Sequence, residues 1–273
     1  MELKYNRELL YDLYINKEYS MSKIASIHGI STMTVRAWLN KNKIKTKPST
    51  QNIYKELKTT EFSPTQKSLL VGSILGDGSL SIGEDCVNAR FVERHCEEQK
   101  DYLLWKRDLL KPFTKSKIGE SYAGEHIISG VKCKVSKSYI FSTISHNYLT
   151  ELRSLFYRDD TKIIPQTLND FINGLVMAVW LCDDGSLSHI KKSGTYRIDL
   201  HTESFTYKEN LFLCREVLSP YFDEAFRTNS RQYKSGEAFY ICISGKDKIL
   251  NIVNSIKQFI PECMIYKFKD YIT

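Results

Sequence analysis

The sequence has no Cys-x-x-Cys pair and no cysteine–histidine spacing of the kind that holds zinc. Its seven cysteines are odd in number, and most sit among apolar residues, as Cys242 does in Phe239-Tyr240-Ile241-Cys242-Ile243. That points away from a disulfide framework and towards buried free thiols in a reducing compartment. No signal peptide is recognisable and no apolar run reaches the length of a bilayer span. The expectation is a soluble intracellular protein with no membrane partner. Aromatic residues, by contrast, are plentiful: seventeen Tyr and thirteen Phe in 273 residues argue against a disordered chain. With 42% hydrophobic and 26% charged residues, one large or two ordinary domains with a sizeable core are expected.

Charge is unevenly spread. The formal net charge is +7, and residues 1–47 carry nine basic side chains against four acids. Such a concentration favours a polyanion partner, nucleic acid being the commonest. The same segment reads as a small helical module. Ile24, Ala25, Ile27 and Ile30 have helical spacing, Gly29 suits a turn, and Ser31 can cap a second helix burying Val35, Trp38 and Leu39. This is a helix-turn-helix pattern, with Thr32, Thr34, Arg36 and Ala37 on the exposed part of the second helix. The lysine-alternating stretch after it, ending in Pro48-Ser49-Thr50, reads as a linker or extended arm. The expected division is a helix-turn-helix module over 1–47, a linker over 48–63, and two repeats over 64–165 and 166–273.

Those repeats are visible directly. Asp77-Gly78-Ser79-Leu80 recurs as Asp184-Gly185-Ser186-Leu187, an offset of 107, which Arg90 and Arg197 preserve. One insertion later, Arg107-Asp108-Leu109-Leu110-Lys111-Pro112-Phe113 is echoed by Arg215-Glu216-Val217-Leu218-Ser219-Pro220-Tyr221. A match kept in register over a whole half is an internal duplication. Each copy predicts the same order: an apolar helix (67–76, 171–182), alternating strands (89–94, 196–200) and an amphipathic helix (97–110, 207–218). Hairpin strands (138–142, 238–242) and a last helix (147–156, 246–259) complete it. The fold class is α+β, αββαββα twice, with the two copies related by a pseudo-twofold axis.

The apolar helices end in an unusual way. A carboxylate at a helix C-terminus meets a dipole that is already negative, so Asp77 and Asp184 are badly placed unless a cation joins them. Free end carbonyls there would add ligands, and Gly78 and Gly185 suit the C-cap. If the two helices pack side by side, both carboxylates reach one end of the interface. Gly72, Gly76, Gly174 and Ala178 are small enough to allow that approach. Paired carboxylates holding divalent metal ions are what phosphodiester hydrolysis requires.

Residues 70–78, Leu-Val-Gly-Ser-Ile-Leu-Gly-Asp-Gly, and 177–185, Met-Ala-Val-Trp-Leu-Cys-Asp-Asp-Gly, resemble the motif of the LAGLIDADG homing endonucleases in their single-chain, two-motif form. The resemblance covers roughly residues 66 to 270. It implies that Asp77 and Asp184 hold Mg²⁺ or Mn²⁺, with Gly76 and Asp183 at the preceding position as secondary ligands. Val179, Trp180 and Cys182 depart from the motif, though Trp-Leu-Cys-Asp-Asp-Gly resembles a variant of one branch. In that branch lysines placed like Lys162 and Lys267 reach the active centres. The strands would form a saddle in the DNA major groove. Arg90, Arg94, Lys132, Lys134, Arg197, His201, Arg227, Arg231 and Lys234 are the candidates to contact bases or phosphates. His95 and His201 lack a ligand-spaced partner and are not expected to bind metal. The expected function is a monomeric, site-specific double-strand endonuclease on a long non-palindromic target, in the cytoplasm of a bacterium or phage-infected cell, or in an organelle. A DNA-binding transcription regulator and an RNA maturase are the alternatives.

Overall fold

Ser20 and Ser31 begin two helices for the same reason: each side-chain oxygen accepts the backbone N–H three residues on, from Lys23 and Thr34. In the computed structural model, which describes residues 6–17, 19–46, 56–84, 86–114, 117–121, 125–128, 131–134, 137–190, 194–234 and 236–271, the chain forms two compact units. These are Met1–Glu56 and Leu57–Thr273. Side chains of 125–128, 131–134 and 190 are outside the description.

In the first unit a helix at Arg7–Tyr11 runs into a π turn at Asp12–Asn16, followed by helices Met21–His28 and Thr32–Lys41. Gly29 between the last two adopts a left-handed φ of 63°, the conformation in which glycine meets no steric cost. Leu10, Leu13, Ile24, Val35 and Leu39 close the core, with Trp38 packed at its edge. Ile27, expected on the apolar face, is 56% exposed. Thr32 and Arg36 are exposed, whereas Thr34 is half-buried and its hydroxyl is engaged by Ser31 at 2.8 Å. Residues 48–55 of the expected linker, and Lys47 before them, lie outside the described residues. Its last part belongs to the larger unit, where Leu57 and Phe62 are buried and Phe62 stacks on Phe113.

The larger unit repeats one plan. Its first copy begins with the first motif helix, Pro64–Leu75, capped by reciprocal Ser63–Gln66 hydrogen bonds with Pro64 in the first turn. Strands β1 (Ser79–Ser81) and β2 (Arg90–Cys96), a helix at Lys100–Leu109, and β3 (Gly119–Ser121) follow. An extra hairpin, β4 (Glu125–Ile128) and β5 (Val131–Lys134), precedes β6 (Ser138–Ser142) and the helix Asn147–Phe156. A short hairpin, β7 (Tyr157–Arg158) and β8 (Thr161–Lys162), leads to the second copy.

The second motif helix is Gly174–Asp184. It starts three residues later than expected, because Leu168–Phe171 is a 3₁₀ turn and Asn173 supplies the cap. Strands β9 (Gly185–Ile190) and β10 (Thr195–Leu200) follow, then a helix at Tyr207–Phe212 that loosens into a π turn over Leu213–Leu218. Strands β11 (Arg227–Tyr233) and β12 (Gly236–Ser244) and the helix Lys246–Ile256 complete it.

Two antiparallel four-stranded sheets result, ordered β1-β2-β6-β3 and β9-β10-β12-β11. Their registers agree to the residue: Ser79 faces Val92, and Ser186 faces Asp199, each 107 positions on. Strand alternation sends Phe91, Glu93 and His95 inward and leaves Arg90 and Arg94 exposed. In β10, Ile198 and Leu200 point inward beneath Arg197 and Asp199. Among the described residues no helix is long and apolar enough to cross a membrane.

Candidate active site

The two motif helices pack directly against each other, buried along most of their length. A side chain at Gly72 would come within 2.8 Å of the Val176 carbonyl. One at Gly76 would strike the Asp183 carboxylate, whose Oδ2 lies 2.6 Å from the Cβ position. Ala178 is fully buried in the second helix. Gly174 serves another contact: a Cβ there would meet the Phe259 ring. Small residues therefore let the helix ends meet, and with them Asp77 and Asp184.

The three acids at this end have different surroundings. The Asp77 carboxylate is exposed. Asp184 is largely enclosed; burial first, then the charges of Asp77 and Asp183, pushes its carboxyl up to about 7. Asp183, expected to be secondary, is wholly buried and at the centre of a hydrogen-bond network. Both its oxygens accept from the Lys106 ammonium at 2.8 Å, and Tyr102 donates its hydroxyl at 2.8 Å. It also receives the backbone N–H of Asp77 at 3.3 Å, across the helix interface. Burial and the charges of Glu93 and Asp77, opposed by Lys106, push Asp183 up to about 6.

Behind Asp183 lies a charged floor that the sequence reading missed. Lys106 is fully buried and its ammonium reaches Glu93 at 2.5 Å as well. Burial works against that charge, but Asp183 and Glu93 outweigh it and raise its pKa. Glu93 in turn is held below its usual range, because Lys106 and His95 overcome the cost of burial. His95 Nε2 is 2.7 Å from Glu93 Oε1, and Nδ1 is 2.9 Å from Gln99 Oε1. The expectation that His95 stands apart from any metal is revised: Nδ1 lies 3.8 Å from Asp77 Oδ2. Ligand atoms of Asp77, His95 and Asp183 all lie within 4.8 Å of one another, close enough to hold a cation. A signal for this floor existed, since Glu93 and His95 alternate with Phe91 on a face where unpaired charge is rarely found.

Both lysines named from the sequence come to the helix ends. Lys162 donates to the Gly76 carbonyl at 2.7 Å. Lys267 donates to the carbonyl of Cys182 and lies 3.4 and 3.3 Å from those of Asp183 and Gly185. Each ammonium thus offsets the negative end of the motif helix in its own copy. Burial pulls the Lys162 pKa down against the attraction of Asp184, Asp77 and Asp183.

The open faces of the two sheets differ. Among the described residues, Arg90 and Arg94 reach hydroxyls, those of Ser81 and Ser138, each at 3.4 Å. On the second sheet Arg197 is clamped by Asp199 at 2.6 Å and donates to the Tyr240 hydroxyl at 2.9 Å. Glu203 accepts from Arg231 and faces His201 Nδ1, each at 3.2 Å, and Arg231 stacks over Tyr240. Arg227 approaches Ser244 at 3.5 Å, and Lys234 is exposed at the turn after β11. Lys132 and Lys134 are placed on β5, their side chains outside the described residues.

Comparisons with known proteins bear on the fold and the family. The DNA endonuclease I-ChuI of Chlamydomonas applanata is 28% identical over 213 residues, which cover 75% of this chain and 94% of that protein. The cytochrome b mRNA maturase bI2 of Debaryomyces hansenii is 24% identical over 204 residues, covering 74% of this chain and 73% of its own. In fold, the homing endonuclease I-WcaI, solved bound to its DNA recognition sequence, matches with a TM-score of 0.65 at 22% identity. That match covers 83% of this chain and 96% of that one. Residues 67–250, which take in nearly all of both motif helices and both sheets, match a single family model, and the chain belongs to the LAGLIDADG DNA endonuclease family.

Proposed function

We propose that the protein is a site-specific double-strand DNA endonuclease whose two centres hold divalent metal, Mg²⁺ or Mn²⁺, at Asp77 and Asp184. The observation that carries this reading is the packing of the motif helices, which gathers three carboxylates at one end, where burial and mutual repulsion push two of them up. The donor set fits such an ion: two carboxylates that form no lysine salt bridge among the described residues, with the helix-end carbonyls of Gly76 and Asp183 beside them. Bound there, a divalent cation would lower the pKa of a water and neutralise charge developing on the scissile phosphate.

The residues of the chain supply the rest. Asp77 and Asp184 hold the two centres, one for each strand. Lys162 and Lys267, now donating to helix-end carbonyls, are within a side-chain rotation of a phosphate placed over those ends and can stabilise its charge. Alternate residues of the two sheets face the duplex. Because one face presents Arg90 and Arg94 beside serines and the other presents arginines paired with Asp199 and Glu203, the half-sites they read are unlike. A long non-palindromic target bound by one chain follows from that difference. The N-terminal helical unit, with Thr32 and Arg36 exposed on its last helix, would extend the contact on one flank as a helix-turn-helix does.

Similarity to a maturase also admits an RNA-binding role, and retention of both carboxylates favours the nuclease. The test is cleavage by Asp77→Asn and Asp184→Asn. Each variant is expected to bind target DNA as the wild type does and to lose double-strand cutting by about 10²-fold or more. Unchanged cutting by both would overturn the assignment.

A further inference from the structure

His95 and Thr202 occupy the same place in the two copies, 107 residues apart. Their chemistry is unlike. The Thr202 hydroxyl is buried and committed to Asn210 Oδ1 and the Leu200 carbonyl, so this position beneath the Asp184 centre offers no nitrogen ligand. Beneath the Asp77 centre the imidazole is held between Glu93 and Gln99, and its Nδ1 faces Asp77 Oδ2 across 3.8 Å. Two ligand atoms each about 2.1 Å from one ion lie roughly 3–4 Å apart, so the gap is the right width for a shared cation.

Two further features bear on that gap. The Glu93 carboxylate behind Nε2, at 2.7 Å, is the support that fixes the tautomer and orientation of metal-bound imidazoles, leaving the other nitrogen for the ion. Asp183, though within 4.8 Å of both groups, has its oxygens committed to Lys106 and Tyr102, which leaves Asp77 and His95 as the available pair. Nδ1 also lies 2.9 Å from Gln99 Oε1, and this half-buried side chain must turn away for Nδ1 to take an ion.

We propose that His95 Nδ1 is a ligand of the cation held by Asp77, and that the Asp184 centre is an oxygen-only site. The inference rests on the reading of Asp77 as a metal ligand. Imidazole suits first-row transition ions, whereas Mg²⁺ is met by carboxylate, carbonyl and water. The Asp77 centre therefore prefers Mn²⁺ or Co²⁺, and the Asp184 centre accepts Mg²⁺ at least as readily. Limiting Mg²⁺ then leaves the strand at Asp184 cut first, while Mn²⁺ brings both cuts together.

The experiment uses the full chain without DNA. Co²⁺ binding is followed by visible absorption and Mn²⁺ binding by electron paramagnetic resonance, in the wild type and in His95→Gln, Asp77→Asn and Asp184→Asn. The wild type should show one tight site. His95→Gln should weaken it about 10–100-fold, and Asp184→Asn should leave it in place. As a check needing no variant, the Co²⁺-loaded wild type should show a hyperfine-shifted imidazole N–H resonance. If His95→Gln binds Co²⁺ as the wild type does, or that resonance is absent, the ligand assignment falls while the endonuclease reading stands. If Asp77→Asn also binds Co²⁺ unchanged, the metal role of Asp77 falls with it.

Discussion

The two copies share the register of their first strand pair, yet the space behind their motif helices is filled in opposite ways. In the first copy Glu93, His95, Tyr102 and Lys106 form a charged, hydrogen-bonded floor. In the second the matching positions are Leu200, Thr202, Asn210 and Cys214, and Asn210 ties itself to Thr202 and to the carbonyls of Phe205 and Thr206. Burying charge is expensive, so a floor of this kind persists only where something requires it. The requirement comes from the other copy: Asp183 is buried and, among the described residues, its carboxylate is paired with Lys106. Each half thus completes the other, and the asymmetry that looks local to one half is a property of the interface.

The comparison breaks most easily at Lys106. Lys106→Met would leave Glu93 and Asp183 buried without their counter-ion and should cost about 3–5 kcal/mol in chemical denaturation. Cys214→Ala, at the matching position, should cost about 1 kcal/mol. Equal costs would mean that the charged floor is no more than packing.

A somewhat smaller effect follows from the acids themselves. Asp184 and Asp183 titrate near 7 and 6 in the folded chain, above the ordinary value near 3.8. A raised carboxyl pKa means that the folded state holds its proton more tightly. The stability this contributes is complete below about pH 4 and is lost as pH rises through 6 and 7. The metal-free protein should therefore be less stable at pH 8 than at pH 5. Asp184→Asn should recover roughly 2–4 kcal/mol at pH 8 in thermal unfolding, and Mg²⁺ should stabilise the wild type more at pH 8 than at pH 5. A flat pH profile would remove the charge crowding from the account.

The smallest contrast sits at the opposite end of the motif helices. Ser63→Ala removes a capping box and Asn173→Ala a cap that accepts two N–H groups, each at about 1 kcal/mol in urea denaturation. Asn173 also donates to Ser68 Oγ on the other helix at 2.8 Å, so its loss should cost about 0.5 kcal/mol more than that of Ser63. The reverse order would show that this end of the helix pair is held by packing alone.

Much of this arrangement could be read along the chain, because it depends on local spacing. The fixed offset of 107 revealed the duplication, strand alternation placed Arg90 and Arg94 outward, and the Ser63–Pro64 start was visible in two residues. The misses have a common cause. Lys106 and Asp183 are 77 residues apart, and no periodicity records that an ammonium in one helix will be buried against a carboxylate in another. The π turn at Leu213–Leu218 and the exposure of Ile27 arise likewise from tertiary packing overriding a helical pattern. The extra hairpin β4–β5 breaks the symmetry of the copies where the repeat had already lost its register.

The contact of Gly76 with Asp183 also settles what rearrangements the molecule can tolerate. A dimer of two first copies would press glycine against glycine, opening a gap and stranding two Lys106 ammonium groups with no Asp183. A dimer of two second copies would drive carboxylate into carboxylate over a neutral floor. Neither half can be exchanged for its twin. Splitting the gene into two separately expressed halves should therefore yield only the mixed pair, so the interface itself enforces heterodimer pairing.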